Sequence, residues 1–127
     1  MTDEERLQQG FSIRRAVLGD AYVNRAEASK TELNADFQNF ITRYAWGEIW
    51  NRPGLTRHTR SLITIAMLIA LNRSDELKMH LSAAFNNGVT EDQIKEVIMH
   101  SSIYCGLPAA NSAFHLAAEV FQARQKS

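Results

Sequence analysis

Residues 56–71 read TRHTRSLITIAMLIAL, and this stretch decides the fold class. Its first turn is polar and basic, whereas almost every side chain from Leu62 onward is apolar. A helix with apolar residues on most of its surface lies in the middle of a core rather than at its edge. The apolar run 62–71 has ten residues and contains Thr64, so it is too short to cross a bilayer. We therefore predict the central helix of a soluble protein.

The chain on both sides of this stretch carries the usual signals of helix ends. Thr2 with Glu5, and Thr90 with Gln93, have the spacing of capping boxes. Gly88 suits a left-handed helix exit, and Gly106 is expected to end the helix that begins at Thr90. No segment alternates with the period of a strand. We predict an all-α fold of about six helices, at residues 2–17, 34–44, 56–71, 74–87, 90–105 and 108–121, with a loop at 20–33 and a break at 46–54.

Composition bounds the class of protein further. The chain has 127 residues, 45% of them apolar, which predicts one domain over residues 1–127. Fourteen basic residues balance fourteen acidic ones, so nothing favours nucleic acid as a partner. Cys105 is the single cysteine, which excludes an internal disulfide and favours a reducing compartment, the cytoplasm. The charged N-terminus predicts neither a secretory signal nor a membrane partner.

Glu76 and His80 form the first candidate site. Two histidines three or four residues apart would suggest a metal site on one helix face, and no such pair occurs. Glu76 and His80 are one helical turn apart, which permits three interpretations. They are half of a carboxylate-histidine metal pair, a charge pair on the helix surface, or a carboxylate that orients the ring and raises its pKa for general acid catalysis.

Basic and aromatic side chains cluster around the Pro-Gly turn before residues 56–71. They are Arg52, Arg57, His58 and Arg60, with Trp46 and Trp50 just upstream. Arg57 and Arg60 share a helix face near an N-terminus, where backbone N–H groups also favour anions. The alternative is that the arginines pair with Glu48, Asp75 or Glu76, or stack on the tryptophans.

The remaining reactive residue types suggest no chemistry of their own. Cys105 lies among apolar and small residues, as a buried inert thiol does. His100 and His115 are interpreted as packing or cap residues. The sequence has no phosphate-binding loop, no Ser-His-Asp order and no dinucleotide fingerprint.

Two blocks of the chain resemble the carboxymuconolactone decarboxylase family. They are residues 46–67, WGEIWNRPGLTRHTRSLITIAM, and residues 76–110, ELKMHLSAAFNNGVTEDQIKEVIMHSSIYCGLPAA. The resemblance implies an all-helical lyase without cofactor or metal that assembles as a ring-shaped homo-oligomer, expected to be a hexamer. The implied reaction converts 4-carboxymuconolactone to 3-oxoadipate enol-lactone and carbon dioxide, in the protocatechuate branch of the β-ketoadipate pathway.

The same superfamily contains AhpD-like alkylhydroperoxidases, which use two cysteines, a glutamate and a histidine. The histidine position matches His80, but the two cysteine positions fall on Arg73 and Glu76, and the glutamate position falls near Ser61. Thiol exchange needs two sulfurs, and this chain has neither at those places. The resemblance therefore implies the decarboxylase and excludes the peroxidase.

The resemblance also suggests a role for each candidate residue. Arg60, supported by Arg57 or Arg52, would hold a substrate carboxylate or the developing oxyanion. His80 would donate the proton and Glu76 would orient it. Trp46 and Trp50 would form a wall of the substrate pocket, and His58 is a second candidate acid. The alternatives are a family member that acts on a different ring carboxylate, and a helical assembly module without catalysis.

Overall fold

Helices account for nearly all of the structure, a computed structural model that describes residues 1–126. These residues contain no β-strand, so the predicted all-α class is confirmed. The helices fall into two compact units, one of Met1–Arg57 and one that begins at His58. Within residues 1–126, no helix combines the length and the apolar character that a membrane span needs.

The first unit contains three α-helices and one π-helix. They are α1 (Asp3–Leu18), α2 (Asp20–Ala28), α3 (Ala35–Ile41) and the π-helix Thr42–Ile49. The predicted N-cap of α1 is confirmed, because Thr2 Oγ1 accepts a hydrogen bond from the Glu5 backbone N–H at 3.1 Å. The cap satisfies one of the N–H groups that have no partner inside the helix.

The loop predicted at residues 20–33 is wrong over its first nine residues, which form α2. The prediction gave weight to the polar and small side chains, but alanine, glutamate and arginine favour helix. Val23 is fully buried and anchors α2 in the core of the unit. Asp20 in its first turn lies 3.2 Å from Arg15 Nη1 and suits the positive end of the helix dipole.

The break predicted at residues 46–54 begins later in the structure, since the π-helix continues to Ile49. Its wider turns are seen in the bond from the Trp50 N–H to the Ala45 carbonyl oxygen, 2.9 Å long. The π-helix packs against α1. Gly10 permits this approach, because a Cβ there would overlap the carbonyl oxygen of Thr42.

Over residues 58–126 four α-helices surround one apolar core, and the first of them begins one residue earlier, at Arg57. They are α4 (Arg57–Leu71), α5 (Ser74–Ala83), which continues as a short 3₁₀ turn (Ala84–Asn87), α6 (Glu91–Cys105) and α7 (Leu107–Lys126). Ile65 and Ile69 of α4 are buried in this core, as predicted. The other buried core side chains include Leu77, Leu81, Ile94, Ile98, Ala113, Ala117 and Val120.

Local signals determine the ends of these helices as predicted. Thr90 and Gln93 form the complete capping box at the start of α6. Gly88 follows the 3₁₀ turn with a φ of 82°, in the left-handed region where glycine carries no steric penalty. Gly106 ends α6 with a φ of 98°.

The contact between α1 and the π-helix can be tested by adding one methyl group. We expect Gly10→Ala to lower the free energy of unfolding by about 1–3 kcal/mol, because the new Cβ displaces the backbone at Thr42. The control is Gly54→Ala, where the added Cβ meets no atom within 4 Å. Urea unfolding of both variants measures the difference, and equal stabilities would contradict the close packing.

Candidate active site

The eight candidate residues belong to the two units in equal numbers. Trp46, Trp50, Arg52 and Arg57 lie in the first unit, and His58, Arg60, Glu76 and His80 lie in the second. Within each unit the structure brings specific pairs together. These pairs are the two tryptophans in the first unit and Glu76 with His80 in the second.

His80 lies on α5, and burial determines its protonation state. Desolvation of the imidazole lowers the pKa of His80 from 6.5 to about 4, whereas the charge of Glu76 one turn earlier raises it by less. Glu76 therefore acts on the pKa of His80 in the expected direction. The net effect is nevertheless a lowered pKa, whereas the sequence suggested a raised one. A partly buried, desolvated site disfavours the charged imidazolium, and one exposed carboxylate does not compensate. At neutral pH His80 is uncharged, which weakens its interpretation as half of a surface charge pair.

Arg60 lies in the first turn of α4 and is partly buried. Its carbonyl oxygen accepts a hydrogen bond from Thr64 Oγ1 at 2.8 Å. Arg57, one turn earlier, is exposed and forms no ion pair among residues 1–126. Two guanidinium groups on one face of the helix start give this end of α4 a positive potential that suits a carboxylate.

Two residues that the sequence did not single out connect α4 to the end of α5. Asn87 Nδ2 donates a hydrogen bond to Ser61 Oγ at 2.8 Å, and Ser61 is 2% exposed. Asn87 Nδ2 also lies 3.3 Å from the Ala83 carbonyl oxygen. Ser61 directly follows Arg60, so this bond positions the helix turn that carries the arginine. An asparagine before a glycine resembles an ordinary helix end, and so the sequence carried no separate signal for it.

His58 makes a specific contact with α6. Its Nε2 lies 2.8 Å from Gln93 Oε1, which accepts hydrogen bonds, so Nε2 carries the proton and donates it. Gln93 Oε1 also accepts from the Thr90 backbone N–H in the capping box. This arrangement ties the first turn of α4 to the start of α6 and leaves only Nδ1 of His58 for a ligand.

Trp46 and Trp50 stack on each other in the first unit. Their ring centroids are 5.1 Å apart and their planes differ by 28°. Trp46 is 7% exposed, Trp50 is half-buried, and Arg52 follows two residues later on the surface. Stacked indoles form a rigid apolar surface of the kind that excludes water from a bound ligand.

An apolar groove of about 490 Å³ lies between α4 and α6, and it contains none of the eight candidate residues. Ile63 and Val97 line its walls together with the carboxylates Asp92 and Glu96. Negative charge at the groove opposes a substrate that carries carboxylates. Residues 1–126 also contain no group of three or more His, Cys, Asp and Glu side chains that could hold a metal ion.

The fold is all-helical, α5 carries the partly buried His80, and α4 begins with Arg57 and Arg60 in its first turn. The sequence matches the model of the carboxymuconolactone decarboxylase family over residues 35–119. It is 61% identical over 122 residues to 4-carboxymuconolactone decarboxylase of Acinetobacter baylyi, covering 96% of this chain and 91% of that protein. It is also 42% identical over 105 residues to nitrosuccinic acid decarboxylase of Metarhizium robertsii, covering 83% and 73%. The chain belongs to the carboxymuconolactone decarboxylase family.

The low pKa of His80 predicts a specific dependence of stability on pH. Between about pH 6.5 and about pH 4 the unfolded chain binds a proton at His80 that the folded protein does not bind. The free energy of unfolding therefore decreases as the pH falls through this window, by up to about 1.4 kcal/mol per pH unit. Urea unfolding at several pH values measures the slope.

We expect His80→Asn to remove this part of the slope, because asparagine does not titrate. The control is His115→Asn on the exposed face of α7, which should keep the slope of the wild type. If the His80 variant retained the full slope, other groups would be responsible for the acid sensitivity.

Proposed function

We propose that this protein is a decarboxylase that converts 4-carboxymuconolactone to 3-oxoadipate enol-lactone and carbon dioxide. The observation that carries the proposal is the 61% identity to the Acinetobacter baylyi decarboxylase along nearly the whole of both chains. The substrate places the reaction in the protocatechuate branch of the β-ketoadipate pathway. The alignment runs through both compact units, which supports one domain over residues 1–127.

The substrate itself supplies the electron sink for this reaction. It is an unsaturated five-membered lactone with a carboxylate and an acetate arm on the carbon beside the ring oxygen. As carbon dioxide leaves, the electron pair of the broken bond moves through the ring double bond to the lactone carbonyl and forms a dienolate. The protein must hold the acetate arm, stabilise the new negative charge and protonate the carbon next to the carbonyl. No cofactor is needed for these three tasks.

His80 is the proposed proton donor, and its buried position sets the condition under which it acts. The free enzyme holds His80 neutral because desolvation lowers its pKa to about 4. A substrate with two carboxylates brings negative charge that favours the imidazolium, in the same direction as Glu76. His80 therefore takes up a proton when the substrate binds. It then transfers this proton to the dienolate carbon next to the carbonyl. Glu76 supports the imidazolium from the same helix.

Arg60 is the proposed anchor of a substrate carboxylate or of the developing oxyanion, with Arg57 and Arg52 in support. The first turn of α4 combines guanidinium groups with backbone N–H groups that have no partner inside the helix. The bond from Asn87 to Ser61 supports this turn. His58 contributes to binding through Nδ1, since its Nε2–H is donated to Gln93.

The stacked pair Trp46 and Trp50 is the proposed apolar wall of the substrate pocket. A carboxylate loses its charge when it leaves as carbon dioxide, so surroundings that exclude water favour its departure. Trp46 is almost completely buried, which keeps the wall rigid. The two rings would therefore act by shape and low polarity rather than by proton transfer.

A second substrate is favoured by a specific observation. The chain is 42% identical to a nitrosuccinic acid decarboxylase, and that acid carries a nitro group that can accept the electron pair of a departing carboxylate. Each of the two substrates carries two carboxylates and an internal electron sink. They differ because only 4-carboxymuconolactone contains a ring. Assays of purified protein with each acid decide between them, and inactivity on both would favour a helical module without catalysis.

We also propose that the protein assembles as a homohexamer in the cytoplasm. Several large apolar side chains of the second unit are more than half exposed, which is unusual for a surface that faces water: Met67, Leu71, Ile103, Tyr104 and Leu107. A second copy of the chain would cover such residues. The one cysteine, Cys105, is a free thiol, as is usual in a reducing compartment.

The role of His80 can be tested by kinetics. We expect His80→Asn to keep the assembly of the wild type and to reduce kcat by roughly 100-fold or more, the usual contribution of a general acid. Because the free enzyme must gain a proton at His80, kcat/KM of the wild type should fall as the pH rises above about 4. Loss of the ultraviolet absorption of the lactone measures both, with His115→Asn as the control. Near-native turnover of His80→Asn would remove this residue from the mechanism.

The role of Arg60 can be tested by replacing its charge with an apolar side chain of similar length. We expect Arg60→Met to raise KM and to lower kcat, each by about tenfold or more, because a charge-assisted hydrogen bond to the substrate is lost. Arg73→Met removes an exposed arginine at the start of α5 and should leave both constants unchanged. If Arg60→Met altered only the thermal stability, the arginine would serve packing and not substrate.

A further inference from the structure

Arg14 in the middle of α1 is a buried cation with incomplete hydrogen bonding. It is 3% exposed, its Nη1 lies 3.3 Å from Thr42 Oγ1 and its Nη2 lies 3.2 Å from Gln38 Oε1. Its Nε is buried and has no hydrogen-bond partner. No carboxylate forms an ion pair with it among residues 1–126. A guanidinium has five N–H groups, and a buried one is normally paired with an anion.

The nearby acidic side chains form no ion pair with Arg14 among residues 1–126, although Glu27 Oε1 is buried without a hydrogen-bond partner. Glu27 favours the charged form of Arg14 through its field, but its Oε2 lies 2.9 Å from Lys30 Nζ. Asp20 pairs with Arg15 at 3.2 Å. Because Arg25 adds a further positive charge on α2, the surroundings of Arg14 hold more positive than negative charge.

Arg14 lines a cavity of about 310 Å³ within the first unit. The polar side chains around it come from α1, α2 and the residue after it, and α3 and the residue before it: Arg14, Tyr22, Arg25, Ser29, Asn34 and Gln38. None of the residues that line it is acidic. A cavity of this size accommodates a small organic molecule.

The two side-chain amides of this cavity wall use their acceptors and keep their donors, whereas Ser29 Oγ donates to the carbonyl oxygens of Arg25 and Ala26. Asn34 Oδ1 accepts from the Thr31 backbone N–H at 2.8 Å, so its Nδ2 hydrogens remain for a ligand. Gln38 Oε1 accepts from Arg14, so its Nε2 hydrogens remain as well. The amide groups, the two guanidinium groups and the Tyr22 hydroxyl together present an excess of donors, which is the complement of an oxyanion.

We propose that this cavity binds the carboxylate or phosphate group of a small anion, with Arg14 as the buried charge and Arg25 as the second guanidinium. Burial lowers the pKa of Arg14, and an anion would offset that desolvation. The residues of this anion cavity are separate from those proposed for decarboxylation, so the inference goes beyond that function.

The experiment titrates the full chain with inorganic phosphate and, separately, with acetate, at constant ionic strength maintained with sodium chloride. Isothermal calorimetry should show saturable binding of phosphate, of acetate or of both. The anion with the higher affinity shows whether the cavity prefers a phosphate or a carboxylate group. We expect Arg25→Gln to weaken this binding by about tenfold, the loss of one charge-assisted contact. Decarboxylase turnover of Arg25→Gln without added phosphate or acetate should equal that of the wild type.

Arg73→Gln is the matched control, since it removes one exposed arginine of the second unit and changes the net charge equally. It should leave the affinity unchanged. Arg14→Met should abolish binding, but Arg25 is the decisive position because it is exposed and its replacement leaves the core intact. Absence of saturable binding of both anions, or equal weakening by Arg25→Gln and Arg73→Gln, would overturn the anion cavity.

Discussion

Burial of the apolar face of α4 organises the second unit of this protein. Ile65 and Ile69 are in a core to which α5, α6 and α7 each contribute. Removing such side chains from water supplies most of the favourable free energy of folding. The same helix carries Arg60 and Ser61 near its start, so the core that holds α4 also determines where its basic first turn lies. The bond from Asn87 to Ser61 then joins that turn to the end of α5.

Desolvation is the second constraint, and it acts on both proposed binding regions. At His80 it outweighs the charge of Glu76 and leaves a neutral imidazole on α5. At Arg14 it lowers the pKa of the guanidinium, which nevertheless keeps its charge because an arginine side chain is a very strong base. In both cases a negatively charged ligand favours the protonated side chain. An enzyme of this kind can recognise anions although its net charge is zero.

Local sequence signals predicted most of the helices. The capping box of Thr90 and Gln93 and the glycines at positions 88 and 106 act through hydrogen bonds and backbone angles of neighbouring residues, so the chain alone reveals them. The regions that were predicted wrongly depend on contacts between residues that are far apart in the chain. Burial of Val23 stabilises α2 where polar residues suggested a loop, and packing against α1 extends the π-helix to Ile49.

The all-α class, the family and the residue types available for chemistry all follow from the chain alone, because helix signals are local and family motifs are patterns of residues. Spacing alone also placed Glu76 beside His80. Only the tertiary structure decided which charges are buried: it lowered the pKa of His80 and enclosed Arg14, which no motif had marked. The physical reason is that desolvation depends on every atom packed around a group, and those atoms come from segments distant in the chain.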